Sequence, residues 1–378
     1  MSVASDDARR AYLLPSPVLI SLDAMGGDHG PSVVVPAVRE YIRHHGGENV
    51  RFLLHGDEAA IAAEMARCKL ASDVCQIRHT DKVVSMDEKP AQAMRRGKGS
   101  SLWNAVESVK SGEAGAVVSA GNTGALMAIS KLILRMSAPG LERPAIVASW
   151  PTLKGVTAVL DVGANIESDA EQLIEFAIMG EAFHAAVHGK KTPTVGILNV
   201  GSEDMKGHDE VREAHQILKA GGLDLNYHGF VEGDDIAKGT VDVVVTDGFT
   251  GNIALKTAEG TARFISALLK DALTSSVQAK MGALIAMPAL KAMSRKIDPS
   301  TINGGPLLGL NGIVVKSHGG ATAVGFANAI RIAVDLARSD YLATVGAKLS
   351  RLGDILHAIP TPPEAGGAVV ASSGETLQ

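Results

Sequence analysis

The stretch DVVVTDGFTGNIALK, Asp242 to Lys256, decides how the rest of the chain is read. Val243, Val244 and Val245 form a β-branched run without polar alternation, the pattern of a short strand covered on both faces. Thr246 and Asp247 stand where that strand ends. Gly248 and Gly251 let the backbone bend and approach a ligand closely, and Thr250 or Asn252 is placed to cap a helix expected from about Ile253. Such a turn leaves N–H groups free at a helix start, an arrangement suited to phosphate or an oxyanion.

Working outward, the same grammar recurs. Apolar runs pass into polar, Gly-bearing turns at Val18 to Gly30 (VLISLDAMGGDHG), Ala116 to Leu126 (AVVSAGNTGAL), Ala158 to Asn165 (AVLDVGAN), Val195 to Asp204 (VGILNVGSED) and Ile313 to Gly320 (IVVKSHGG). In an open α/β sheet ligands bind beyond the carboxyl ends of parallel strands, so six such ends together predict one composite pocket. A single Gly-bearing turn is better explained as ordinary turn chemistry.

Between these ends the pattern predicts helices from about Ser32 to His45, Glu58 to Lys69, Glu171 to His188, Asp209 to Lys219 and Ile253 to Leu273, with further strands at Arg51 to Asp57, Asp73 to His79 and Asn226 to Val231. On the Glu171 helix Leu173, Ile174, Ala177, Ile178 and Ala182 make one apolar face. Ile302 to Gly312 (INGGPLLGLNG) reads as a glycine-rich connection. Residues 1–15 are expected to be a flexible arm and 359–378, rich in Pro and Gly, a disordered tail, leaving 16–358 as one domain with a helical hairpin over 268–300.

Composition narrows the function. A chain of 378 residues buries a large core, and a net charge of -5 gives no reason to expect a nucleic-acid partner. Cys68 and Cys75 match neither a redox CxxC nor a metal-ligand spacing, and no HExxH or paired His/carboxylate spacing occurs, so neither a metal nor any other cofactor is expected. The start of the chain lacks the basic flank and apolar core of a secretory signal, and the apolar run Gly282 to Leu290 is too short to span a bilayer. Arg95, Arg96 and Lys98 form a short basic cluster that reads equally as a solvated helix end or as a contact for an acidic partner.

DAMGGDHGP (Asp23 to Pro31), SAGNTGALM (Ser119 to Met127), LDVGAN (Leu160 to Asn165), LNVGSEDMKG (Leu198 to Gly207), VTDGFTGNIALKT (Val245 to Thr257) and PLLGLNGIVVKSHG (Pro306 to Gly319) resemble, in order, the motifs of the acyl-carrier-protein:phosphate acyltransferases, the PlsX family. The resemblance runs from Val18 to about Leu356. It implies a three-layer α/β/α sandwich on a largely parallel sheet, similar to phosphotransacetylases and isocitrate-type dehydrogenases. It also implies transfer of an acyl group from acyl carrier protein to inorganic phosphate, feeding a membrane glycerol-3-phosphate acyltransferase. A homodimer in the cytoplasm, in peripheral contact with the membrane, is expected with it.

The same resemblance points to Lys206 and Asn252 as catalytic. Read from the residues alone, Lys206 is a solvated loop lysine and Asn252 a helix cap. Substrate-binding positions are expected at Asp23, Gly26, Gly27, Asn122, Thr123, Gly124, Asp161, Asn165, Asp247, Gly248, Thr250, Gly251 and His318, although each Asp reads equally well as closing its own turn. His29, His208 and His318 are weak candidates for a general acid, because a thiol of ordinary pKa leaves without one. Two other functions fit parts of the pattern. A dehydrogenase of similar fold lacks a clean GxGxxG here, and a carrier-binding module would bind loaded carrier without releasing thiol.

Overall fold

Among the described residues eleven strands form one sheet in the order β3-β2-β1-β4-β11-β10-β5-β6-β9-β7-β8. The strands are β1 (Val18–Asp23), β2 (Val50–Gly56), β3 (Cys75–His79), β4 (Ala116–Ser119), β5 (Ala145–Thr152), β6 (Gly155–Leu160), β7 (Thr194–Leu198), β8 (Asn226–Val231), β9 (Val243–Val245), β10 (Gly305–Leu308) and β11 (Ile313–Lys316). The computed structural model describes residues 17–138, 141–297 and 303–358, without the side chains of 294–297 and 356–358. The arm expected at 1–15 and the tail expected at 359–378 lie outside the described residues.

Two helical layers enclose the sheet. On one face lie α1 (Pro31–His45), α2 (Glu58–Cys68), α6 (Ala170–His188), α7 (Asp209–Ala220), α11 (Ala323–Arg338) and α12 (Tyr341–Ala358), packed on Ile20, Leu22, Val118, Val315 and Leu160. On the other, α3 (Pro90–Arg96), α4 (Ser101–Lys110) and α5 (Thr123–Leu134) cover Val117 and Val314, while α8 (Gly233–Lys238) and the start of α9 (Gly248–Thr274) cover Val159 and Val244. Alternate residues of one strand thus enter different cores, which is why the strands read as continuous apolar runs. The described architecture is the expected three-layer sandwich.

Most pairings are parallel, but β11/β10, β10/β5 and β5/β6 are antiparallel. An odd number of reversals leaves β6, β9, β7 and β8 running against β1, β2, β3, β4 and β11. The polar ends of β1, β4 and β11 therefore point one way along the sheet and those of β6, β7 and β9 the other, so the single composite pocket expected of parallel strand ends does not follow from strand direction alone. The reversal depends on two strands that the sequence pattern conceals. Pro306 and the surrounding glycines disguise β10, and a turn at Lys154 folds Ala145–Thr152 back on Gly155–Leu160.

Helix α9 starts earlier than expected, at Gly248, with Asp247 as its cap. Thr250 and Asn252 are inside it. Its partner α10 (Val277–Ile297) follows after Ser275 and Ser276, so the hairpin begins at 248, ahead of the expected 268, while residues 298–300 of the expected range lie outside the described residues. Phe264, Ile265 and Leu268 are 62%, 57% and 52% exposed because along most of α9 the main element packed against it is α10. Among the described residues no helix is long and apolar enough to cross a membrane.

Candidate active site

The turn after β6 and the start of α9 are stitched into one unit. Asp161 N–H donates to Thr246 O at 2.9 Å, Thr246 N–H to Leu160 O at 2.8 Å, and Gly248 N–H to Asn165 O at 2.7 Å. The fully buried Asp161 carboxylate accepts from the N–H groups of Ile146, Gly163, Ala164 and Asn165 and from Asn165 Nδ2. Burial pushes its pKa up, and those donors oppose the rise. Its lone pairs are committed to the protein, so its work is to hold the turn.

The glycines here serve the same closeness. A Cβ at Gly251 would stand 1.9 Å from Asp161 O, and one at Gly248 2.3 Å from Asn165 O. Asp247 accepts from Thr250 N–H at 2.8 Å and from Thr250 Oγ1 at 2.7 Å, a cap that satisfies orphan donors of the helix. What this framework leaves open is Asn252. It is exposed on the first turns of α9, near Gly163, and its amide makes no hydrogen bond among the described residues. The competing role as helix cap is removed, because Asp247 fills it.

Lys206 lies on the turn after β7, and β7 is the neighbour of β9, so its loop and the Asn252 turn share one sheet edge. The loop backbone is tied down: Lys206 N–H donates to Glu203 O at 2.9 Å and Asn199 Nδ2 to Lys206 O at 3.1 Å. Gly207, at φ 90°, lies so close to Asn199 that a Cβ would meet Oδ1 at 2.2 Å. Asp204 is taken by Lys219 and His215. The Lys206 ammonium is exposed and has no acidic partner among the described residues. A compact positive charge and an uncommitted amide donor therefore stand at the ends of adjacent strands, the pair that an incoming phosphate or a developing oxyanion requires.

The remaining expected residues gather at the other edge. Asp23, 2% exposed, accepts from Ser119 Oγ at 2.7 Å, and Ser119 Oγ accepts from Gly121 N–H at 3.0 Å. Gly26 fits against both, since a Cβ there would be 2.5 Å from Asp23 Oδ2 and 2.8 Å from Gly121 N; Gly27, at φ 87°, faces Gly319 O. Asn122 caps α5 and donates to Met86 O and Glu88 O at 2.7 and 2.8 Å, with Thr123 and Gly124 in the helix's first turn. His318 N–H donates to Asn303 Oδ1 at 3.1 Å. The two edges are not independent, because Lys256 and Glu259 of α9 lie close enough to His318 to act on its charge.

One residue at this edge escaped the sequence reading. Lys316 ends β11 and donates from Nζ to Ala120 O and Ser317 O. Burial pulls its ammonium down to about 8, with Asp23 and Asp28 opposing the fall. The signal was present as a lysine closing an apolar run directly before Ser317 and His318. Among the described residues no cluster of His, Cys, Asp and Glu is arranged to hold a metal ion.

A family model described as fatty acid synthesis protein matches residues 18–344. A protein of Caulobacter vibrioides named phosphate acyltransferase is 70% identical over 335 residues, covering 89% of this chain and 92% of the relative. One of the same name from Phenylobacterium zucineum is 60% identical, covering 92% and 98%. Among solved structures, a phosphotransacetylase from Streptococcus pyogenes superposes with a TM-score of 0.58 at 20% identity, covering 89% of this chain and 99% of that one. The EutD phosphotransacetylase of Staphylococcus aureus gives 0.55 at 17%, covering 85% and 94%. These two share the fold. With the family model spanning most of its length and relatives of such identity beside it, the chain belongs to the PlsX family of fatty acid synthesis proteins.

Proposed function

We propose that the protein transfers a fatty acyl group from the thioester of acyl carrier protein to inorganic phosphate, with Lys206 and Asn252 at the reacting centre. The observation that carries this reading is their state: an unpaired ammonium and an uncommitted amide at the ends of neighbouring strands, in a chain whose relatives are named phosphate acyltransferases. A phosphate oxygen attacks the thioester carbonyl carbon, the C–S bond breaks, and the electron pair leaves on the carrier's sulfur. Lys206 balances the phosphate charge and Asn252 donates to the carbonyl oxygen as it becomes an oxyanion. Each well-placed donor there contributes about 3 to 4 kcal/mol to the transition state. Holding both reactants on one rigid turn supplies the orientation, and no covalent enzyme intermediate is required.

The acyl phosphate is an amphiphile suited to a membrane glycerol-3-phosphate acyltransferase. A homodimer with peripheral membrane contact completes the proposal. Purified protein is mixed with acyl carrier thioester, with and without phosphate, while thiol release is followed and acyl phosphate is trapped with hydroxylamine. Release that requires phosphate and yields hydroxamate is expected. Release independent of phosphate would make the protein a thioesterase, and binding without release a carrier-binding module.

A further inference from the structure

Lys206 stands on a loop that the core does not hold. Between β7 and α7 the side chains of Val200 and Met205 are exposed, so apolar burial does little to order this segment. Polar ties take its place, and they meet at Lys206. Three successive carbonyls accept side-chain donors: Lys206 O from Asn199 Nδ2 at 3.1 Å, Gly207 O from Arg212 Nη1 at 3.2 Å and, more weakly, Met205 O from the same nitrogen at 3.5 Å. Because each peptide group is planar, holding the carbonyls on both sides of the Lys206 Cα sets the direction in which its side chain leaves the backbone.

The ties to α7 come from one face of that helix. Arg212, His215 and Lys219 follow one another at spacings of three and four residues, so they line up along it. Lys219 Nζ lies 2.9 Å from the Asp204 carboxylate and His215 Nε2 3.5 Å from it. The His215 ring is itself fixed, stacked on Phe230 with centroids 4.2 Å apart and with Nδ1 2.7 Å from the Tyr227 hydroxyl. Asp204 and Lys219 are both largely exposed, and such a pair adds little by itself. Arg212 is different. It is half-buried, paired with Asp209 through Nη2, and its Nη1 reaches the carbonyls that flank Lys206. A planar guanidinium serves acceptors in several directions at once, which the point charge of an ammonium does not.

Building on the role proposed above for Lys206, we infer that Arg212 is a positioning residue of the acyl transfer. It holds the peptide groups on either side of Lys206 and so aims the ammonium at the reacting centre, without touching the substrate.

The test measures kcat and KM with lauroyl carrier thioester and inorganic phosphate for the full chain, Arg212→Ala, Arg212→Lys, Lys206→Ala and the Lys206→Ala/Arg212→Ala double variant. Arg212→Ala is expected to lower kcat about 10- to 100-fold, as when a reacting group is displaced by up to about 1 Å, with KM for carrier thioester unchanged. Arg212→Lys is expected to recover only part of that loss. In the Lys206→Ala background, Arg212→Ala is expected to cost less than about twofold more, because residues that act as a unit are not additive. The same loss in both backgrounds makes Arg212 independent of Lys206 and overturns the inference, as does near-parent kcat in Arg212→Ala. A loss confined to KM for carrier thioester assigns Arg212 to carrier docking and also overturns it. Arg212→Lys carries the same cycle if Arg212→Ala does not fold. Near-native turnover in Lys206→Ala, or no acyl phosphate from the unmodified protein, instead removes the reading beneath it.

Discussion

At the residue scale, Lys206 and Glu175 illustrate opposite uses of charge. The Lys206 ammonium is unpaired and exposed, so its substitution leaves the fold intact. Lys206→Ala is expected to lower kcat about 100- to 1000-fold, the loss typical of a transition-state donor, with an unchanged circular dichroism spectrum. Lys206→Arg restores only part, because a planar fork does not reproduce a point charge. Near-native turnover in the Ala variant would remove Lys206 from the mechanism. Glu175 on α6 is 3% exposed, and burial, reinforced by Glu171 and Asp169, pushes its carboxyl from 4.5 up to about 8. Between those values the unfolded chain has released a proton that the folded chain keeps. Stability from this group is therefore full below about 4.5 and declines as pH rises to about 8. Glu175→Gln should be more stable than the parent at neutral pH, with an advantage that grows across that window and then levels off. Urea midpoints measured against pH check it, and a difference independent of pH would contradict the assignment.

At the scale of single elements, the start of α9 and the end of α3 make separate claims. Helix α9 approaches the turn after β6 so closely that Gly251 has no space for a side chain. Gly251→Ala is expected to cost about 3 kcal/mol, the upper end for overpacking, and to lower the urea midpoint; a midpoint within error of the parent would show that the helix start gives way freely. Arg95 and Arg96 in the last turn of α3 and Lys98 beyond it are exposed, with no ion pair among the described residues. Pro90 at the head of α3 lies against Gly124, which ties this basic segment to the start of α5. Acyl carrier proteins are acidic, so reversing the three charges is expected to raise KM for carrier thioester about tenfold and flatten its salt dependence. A change confined to phosphate kinetics would assign the cluster to the anion.

On the scale of the whole molecule, the α9–α10 hairpin and the reversal within the sheet set how the parts are deployed. Val277, Met281, Leu284 and Ile285 are 72%, 63%, 72% and 83% exposed near the hairpin's turn, an apolar patch of the kind that marks interaction sites. Lys280 and Lys291 lie on the same helix, while the side chains of Arg295 and Lys296, also expected beside head groups, fall outside the described residues. If the proposed membrane contact uses this patch, Leu284→Glu combined with Ile285→Glu is expected to abolish co-sedimentation with anionic liposomes and leave the proposed acyl-phosphate synthesis and the proposed dimer intact. A monomeric variant that still binds liposomes would make the patch a subunit contact. Strands and helices were legible where each is set by neighbours in sequence, as with Val243 to Val245 as a buried strand and the apolar face of α6, whereas the cap of α9 was expected at Thr250 or Asn252 and is Asp247. The direction of each half of the sheet was not legible, because it follows from pairing β10 and β5 with distant partners, and Pro306 and the glycines around it hid the first of these. Lys316 likewise gained its lowered pKa only from burial, against the opposing pull of Asp23 and Asp28, residues far away along the chain. The sequence by itself determined which residues could hold an anion and bend around it; only the tertiary structure decided which of them share an edge. Hydrogen-bonding capacity and local conformation belong to each residue and its neighbours, whereas strand order and burial arise from contacts between segments that the chain must first bring together.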